Sequence, residues 1–344
     1  MAERKALVTG AGGFIGHHLV SFLKDRGFWV RGVDIKRPEF EQSRADDFQL
    51  RDLRNPENCS EATADMDLVY GLAADMGGMG FIASNHSVIL HNNLLINLNT
   101  LEAASLNGVK RYFYSSSACV YPEYRQTDVD AVGLKEEDAY PAQPQDAYGW
   151  EKLITERLCM HYREDRAIET RVARFHNIFG PLGSWEGGRE KAPAAICRKI
   201  AIAKITGNPE IEIWGDGMQS RSFCYVDDCV RGICMRMDSD YHEPLNIGQD
   251  HLVTINELAD ITANIAGIDI VKRHVPGPEG VRGRNSDNTL VEKVLGWRPE
   301  VSLEDGLLHT YRWIETQVLE KLEREGSIEE GSKSRIVSVR GSIV

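Results

Sequence analysis

The chain has 344 residues, 42% hydrophobic and 27% charged, with a net charge of −12 at pH 7. That length gives two domains or one large α/β domain with a substrate lobe. The acidic balance excludes a general nucleic-acid binder, which would carry a basic footprint. Seven cysteines, an odd number with no CxxC spacing, argue against a metal site or a disulfide framework and fit a reducing, cytoplasmic setting. Residues 1–5 lead directly into a short apolar strand with no signal-peptide core. No run is long and apolar enough to span a membrane, so a soluble chain is expected.

In chain order, the apolar patterning predicts strands at 6–9, 29–34, 68–74, 111–116 and 170–175. Helices are predicted at 14–26, 92–107 and 146–161. Strands alternating with helices imply an α/β fold with a doubly wound parallel sheet of the Rossmann type. After residue 180 the pattern changes. A glycine-rich loop at 183–193 leads into a helix, and short strands are expected at 211–214, 222–226 and 244–247. Thr254 opens a helix at 256–267, and 276–288 is a Gly/Pro/Arg loop. The expected division is a dinucleotide domain at 1–176, to which the chain returns near 218–248, then a smaller α/β substrate lobe at 177–322. A loosely ordered tail is expected at 323–344, of which 336–339 could still pair or cover a site.

Gly10, Gly13 and Gly16 give the spacing GxxGxxG between the first strand and the first helix. Glycine there permits a tight turn and close approach of the backbone to a pyrophosphate at a helix N-terminus. Asp34, ending the second strand, suits a ribose diol and repels a 2′-phosphate, which favours NAD over NADP, although Lys36 and Arg37 weaken the inference. Further on, Ser115-Ser116-Ser117-Ala118-Cys119 closes a strand, and Tyr148-Gly149-Trp150-Glu151-Lys152 opens a helix. Positions i and i+4 share a helix face, so Lys152 lies beside Tyr148, and an ammonium there favours the phenolate. Alone, such a spacing is most often an ordinary exposed helix face.

Together, the glycine loop, the serine strand end and the YxxxK helix resemble the extended short-chain dehydrogenase/reductase family (the NAD-dependent epimerases and dehydratases). Leu72-Ala73-Ala74, the stretch 174–181 and the stretch 221–228 match it too, and the resemblance runs to about residue 320. The family's dehydratases are similar to one another in carrying an Asp-Glu pair where this chain has Ala118 and Cys119. Cys119 reads either as a thiolate base for a carbon acid or as a small buried hydrophobe. Lys191, in Gly187-Gly188-Arg189-Glu190-Lys191-Ala192-Pro193, stands at the positive end of a helix, which would lower its pKa; it could equally be a solvated loop lysine. With the loops 76–80 and 276–288, these features narrow the resemblance to the family's sugar-nucleotide epimerases that act on GDP-mannose at C3 and C5.

What the resemblance implies is an isomerase that oxidises C4 transiently with NAD. Tyr148, Lys152, Ser117, Cys119 and Lys191 would be catalytic. NAD would lie on Gly10, Gly13, Phe14, Ile15, Gly16, Asp34, Asp52 and Ala73, beside Tyr148 and Lys152. The GDP-hexose would meet Gly77, Ser117, Ala118, Cys119, Asn177, Glu190, Lys191, Lys199, Gln219, Arg221 and Arg284. It also implies a homodimer through a four-helix bundle built from the helices at 92–107 and 146–161. Two alternatives stay open: an epimerase that inverts one centre or takes another GDP or UDP sugar, and a non-catalytic NAD-sensing protein. The second typically loses the tyrosine or the lysine, and both are present here.

Overall fold

The computed structural model describes residues 4–325. The first half alternates strand and helix: β1 (Lys5–Thr9), α1 (Phe14–Asp25), β2 (Trp29–Asp34), β3 (Asp47–Leu50), α2 (Pro56–Thr63) and β4 (Leu68–Gly71). After a short α3 (Met79–Ile82) come α4 (His86–Leu106), β5 (Arg111–Ser117), α5 (Ala147–Arg166), β6 (Glu169–Phe175) and β7 (Ile178–Phe179). Beyond these lie α6 (Ala192–Thr206), β8 (Glu210–Trp214), β9 (Ser220–Ser222), β10 (Cys224–Tyr225), α7 (Val226–Asp238), β11 (Leu245–Ile247) and β12 (Leu252–Thr254). The chain continues through α8 (Ile255–Ala266), β13 (Val271–Val275), β14 (Gly283–Arg284), α9 (Thr289–Leu295) and α10 (Leu303–Glu325).

Seven parallel strands form the main sheet in the order β11-β6-β5-β4-β1-β2-β3. Helices cover both faces, so Ala6, Leu7 and Val8 of β1 are all inaccessible, which is why the central strand is a continuous apolar run. The strand order reverses direction at β1, where β2 lies on one side and β4 on the other. A crevice opens there at the carboxyl ends of the strands, the usual ligand position in such sheets. Thr9, Gly71, Ser117 and Phe175 end the four strands that border it.

The second half builds three small sheets: β7 with β10, β12-β9-β14, and β8 with β13. Helices α6, α8 and α10 pack on one another beside them. One hydrophobic core runs continuously from Val8 and Val20 under the main sheet to Ile200, Leu258 and Leu307. The crevice is therefore walled by rigid structure on both sides.

Several boundaries differ from expectation. The strand expected at 68–74 stops at Gly71, because residues 72–74 line the crevice instead of pairing. The helix expected from 92 starts at His86, and that expected to end at 161 runs to Arg166. The segment expected as one strand at 222–226 is β9 and β10, interrupted at Phe223. Glu323–Glu325, expected in a loose tail, complete the last turn of α10, whose buried Leu303, Leu307, Tyr311, Ile314 and Val318 tie it to the core. The rest of that tail, including 336–339, lies outside the described residues. Among the described residues no helix is long and apolar enough to cross a membrane.

Candidate active site

The crevice is a cavity of about 920 Å³, and every residue singled out for cofactor, substrate or catalysis lines it. The Gly10 loop forms one end. Gly10 has φ +70°, and a Cβ on Gly16 would meet the Gly10 carbonyl at 2.1 Å, so the loop can fold back on α1 only with glycine there. No side chain caps α1, whose first turn therefore presents free backbone N–H groups to the cavity. Asp34 accepts from the Gly12 amide at 2.9 Å and the Lys36 amide at 3.2 Å; burial pushes its carboxyl up from the ordinary range. Asp52 is chelated by Arg54, with contacts of 3.0 and 2.6 Å, which holds its carboxyl down. An uncapped helix end behind a glycine turn, a carboxylate at the end of β2, and Ala73 on the opposite wall fit a dinucleotide.

The serine strand end and the YxxxK helix meet at the middle of the cavity. A Cβ on Gly149 would stand 2.2 Å from the Cys119 carbonyl oxygen, so α5 approaches the end of β5 at a distance only glycine permits. Asp146 caps α5 by accepting from the Gly149 amide at 2.8 Å. Tyr148 packs with Phe81, Ile82 and Ile89, and Met76 and Cys119 lie against that cluster. Lys152 is 1% exposed and its ammonium sits 5.4 Å from the centre of the Tyr148 ring. The sequence expects Lys152 to favour the phenolate; in the structure burial, followed by Cys119 and Glu151, pushes the phenol well above its ordinary range, and a bond from Ser117 pulls the other way.

Glu151, read only as a spacer, is fully buried. Its carboxylate lies 3.4 Å from Lys152 Nζ and accepts from Asn93 and Asn97 at 3.1 Å each. Asn93 also receives the Asp75 amide at 2.6 Å, which ties α4 to the loop after β4. Glu151, Asn93 and Asn97 left no distinctive signal beyond a polar stripe on otherwise apolar helices. Trp150 points away from the cavity and is 42% exposed.

Across the cavity, Lys191 is the residue before α6, its carbonyl accepting the first-turn amide of Ala195 at 2.9 Å. Among the described residues its ammonium makes no hydrogen bond or salt bridge. Burial is the largest influence on it and pushes it down from the ordinary lysine range, with Cys119 and Cys229 opposing. Cys119 is half-buried, whereas the other six free thiols are buried. Arg284 Nη1 donates to Cys119 Sγ at 3.2 Å.

Lys199 and Arg221 also make no salt bridge to a carboxylate among the described residues. Lys199 donates to the Glu212 carbonyl at 2.6 Å, and burial pushes it down to about 8. Arg221 donates to the carbonyls of Ser220, Val281 and Glu279 at 2.7, 2.6 and 3.2 Å; burial and Arg284 lower it to about 9. Glu190, expected to meet substrate, has both oxygens engaged: Arg198 donates at 3.0 Å and the Gly188 amide at 2.7 Å. It shapes the Lys191 loop. Asn177, at φ +45°, donates to the Ser222 carbonyl at 2.8 Å. Gln219 donates to the Trp214 carbonyl at 3.0 Å, while its own oxygen is buried with no partner among the described residues. Gly77 and Ala118 line the wall between them.

The model of the NAD dependent epimerase/dehydratase family matches residues 6–248. The chain is 52% identical over 338 residues to GDP-mannose 3,5-epimerase 1 of Oryza sativa subsp. japonica, covering 98% of this chain and 88% of that one. It is 50% identical over 341 residues to GDP-mannose 3,5-epimerase of Arabidopsis thaliana, covering 98% and 89%. Among solved structures, it is similar to UDP-glucose 4-epimerase of Thermotoga maritima with UDP-glucose, with a TM-score of 0.82 at 28% identity over 91% of this chain and 99% of that one. It is also similar to UDP-glucuronic acid 4-epimerase of Bacillus cereus in complex with UDP-glucuronic acid and NAD, with a TM-score of 0.76 at 28% identity over 91% and 99%. With the glycine loop, the serine strand end and the YxxxK helix meeting in one cavity, this chain belongs to the NAD dependent epimerase/dehydratase family.

Proposed function

We propose that the chain is an isomerase that inverts C3 and C5 of GDP-mannose, giving GDP-L-galactose with GDP-L-gulose as the 5-epimer. The observation that carries the reading is the shared cavity: Cys119 and Lys191 line it together with Tyr148 and Lys152. Gly10, Gly13–Gly16, Asp34, Asp52 and Ala73 would hold NAD, which would supply the hydride acceptor, and in reduced form the hydride donor, for C4. Tyr148, hydrogen-bonded by Ser117, takes the C4 hydroxyl proton as the phenolate and becomes a neutral phenol; the Lys152 ammonium opposes the phenolate's charge before the transfer. A ketone at C4 makes the C–H bonds at C3 and C5 acidic. Cys119 and Lys191 act on opposite faces of the hexose: one removes a proton as the base and the other delivers a proton as the acid, so the carbon inverts. Burial lowers the affinity of Lys191 for a proton, which favours its giving one up to the sugar carbon. Lys199 and Arg221 face the diphosphate, while Arg284 meets the substrate beside Cys119.

The same reading extends to assembly and setting. Leu98 on α4 and Trp150 and Ile154 on α5 are apolar yet 45, 42 and 48% exposed, and α4 and α5 pack side by side. Two such pairs would bury these residues in a four-helix bundle, making a homodimer. Seven free thiols suit a reducing cytoplasm.

The test is incubation of the holoprotein with GDP-mannose in deuterated water, without added NAD, followed by NMR. Deuterium at C3 and C5 with new epimers and no net NADH is expected. Deuterium at C5 alone would give the single-centre epimerase, deuterium at C6 a dehydratase, and no exchange would sink the reading. Cys119→Ala should abolish exchange while the bound dinucleotide is retained.

A further inference from the structure

Sequence reading places Arg284 with the diphosphate, yet its guanidinium is held at the sulfur of Cys119. Nη1 donates to Sγ at 3.2 Å and Nε donates to Gln126 Oε1 at 2.5 Å. Nη2 makes no bond among the described residues. Gln126 is 1% exposed and cannot turn. Its amide nitrogen donates to the carbonyls of Tyr121 and Pro122 at 3.0 and 3.2 Å, which leaves its oxygen aimed at Arg284. Its backbone carbonyl accepts from the amides of Arg282 and Gly283, at 2.9 and 3.2 Å, so Gln126 also anchors the strand that carries Arg284. The segment holding Gln126 begins two residues after Cys119, so one short stretch fixes both the sulfur and the cation beside it. No carboxylate competes for this guanidinium among the described residues.

We infer that Gln126 is a positioning residue that locks Arg284 as the fixed counter-charge of the Cys119 sulfur, with Nη2 left to reach the substrate. A proton base that becomes neutral when it takes a proton needs its negative charge held in place beforehand, and a guanidinium locked at both Nε and Nη1 does so without reorganising. This rests on the proposed role of Cys119 only for its consequence in catalysis; the ion pair itself is testable on the thiol.

The experiment compares alkylation of Cys119 by neutral iodoacetamide and anionic iodoacetate in the NAD-loaded protein, followed by peptide mass spectrometry. The six buried cysteines serve as internal reporters of unfolding. In Arg284→Gln and Gln126→Met, labelling of Cys119 by iodoacetamide should slow roughly tenfold, the worth of one charge-assisted hydrogen bond. Labelling by iodoacetate should slow further, because the local positive charge is lost or displaced. Arg284→Lys should recover part of the iodoacetate rate. If Gln126→Met labels its buried thiols, Arg284→Gln decides alone. Unchanged or faster labelling of Cys119 with the buried thiols protected overturns the inference. GDP-mannose exchange in deuterated water is run in parallel. Slowed alkylation alongside a wild type that never exchanges would refute the epimerase reading and leave the Gln126–Arg284–Cys119 arrangement standing.

Discussion

Gly149→Ala should disable the enzyme without touching a group that bears chemistry. The added Cβ would stand 2.2 Å from the Cys119 carbonyl oxygen and 2.8 Å from Pro144 Cβ, where ordinary contacts begin at 3.4 Å. The shortfall against the carbonyl is therefore about 1.2 Å. Neither neighbour is the free end of a flexible side chain, so α5 must withdraw or the end of β5 must shift. Overpacking of this kind costs ~1–3 kcal/mol, which in a chain of this size lowers the melting temperature by a few degrees. The catalytic loss should be far larger in proportion. Tyr148 and Lys152 ride on α5, Cys119 rides on the displaced carbonyl, and a misplacement of ~1 Å costs on the order of 10²-fold in rate. Deuterium incorporation into GDP-mannose, measured beside a thermal melt with bound dinucleotide quantified, separates the two effects. Wild-type exchange in a folded Gly149→Ala protein would refute the claim that this contact sets the distance between the phenol and the sulfur.

Three further outcomes follow from the same coordinates. Lys199 is lowered to about 8 by burial, so between about 8 and its unfolded value the folded chain binds fewer protons than the unfolded one, and stability rises with pH across that window. With Lys199 facing the diphosphate as proposed, its ammonium is present below about 8, so KM for GDP-mannose should rise as pH passes that value in wild type, with kcat less affected, and the pH step should vanish in Lys199→Met. Glu156→Leu should lose ~3–5 kcal/mol in urea unfolding, because it strands the buried guanidinium of Arg174, which now bonds Glu156 at 2.9 and 2.7 Å. An unchanged midpoint would show that this pair does not hold β6 to α5. The proposed dimer should become a monomer by light scattering in Leu98→Arg combined with Ile154→Arg, and a persistent dimer would place the interface elsewhere.

How much of this was legible in sequence depended on whether the signal was local. The glycine turn, β1, β2 and the YxxxK helix were readable because each encodes its structure within a dozen residues. Asp47–Leu50 was not, since Asp-Phe-Gln-Leu at a sheet edge carries none of the β-branched enrichment that marks central strands. Val271–Val275 hides for a similar reason, its interior being Lys-Arg-His and largely exposed. Cavity-lining residues were recoverable through the family resemblance, but their local duties were not. Glu190 looked like a ligand contact, and its pairing with Arg198 appears only when α6 folds back over its own loop. Gln126 gave no signal at all: its meaning comes from Arg284, which lies far along the chain and reaches it only through the β9–β14 sheet.

The acidity of the chain poses a last question, how a protein with net charge −12 holds a diphosphate. The answer lies in which acceptors the arginines and lysines are given. Arg54, Arg174 and Arg282 are paired with Asp52, Glu156 and Asp216, and such pairs offer an anion little net charge. Lys199 and Arg221 are instead held by backbone carbonyls, and Lys191 by nothing among the described residues. A carbonyl dipole orients a cation while leaving its formal charge intact. Carboxylates that line the cavity are themselves paired, among them Glu190 with Arg198 and Asp75 with Arg189. Each uncompensated cation attracts a phosphate oxygen at ~4 Å by about 4 kcal/mol at an effective dielectric of ~20, and a carboxylate partner at the same distance would cancel it. Local pairing, not bulk charge, therefore decides what this cavity attracts.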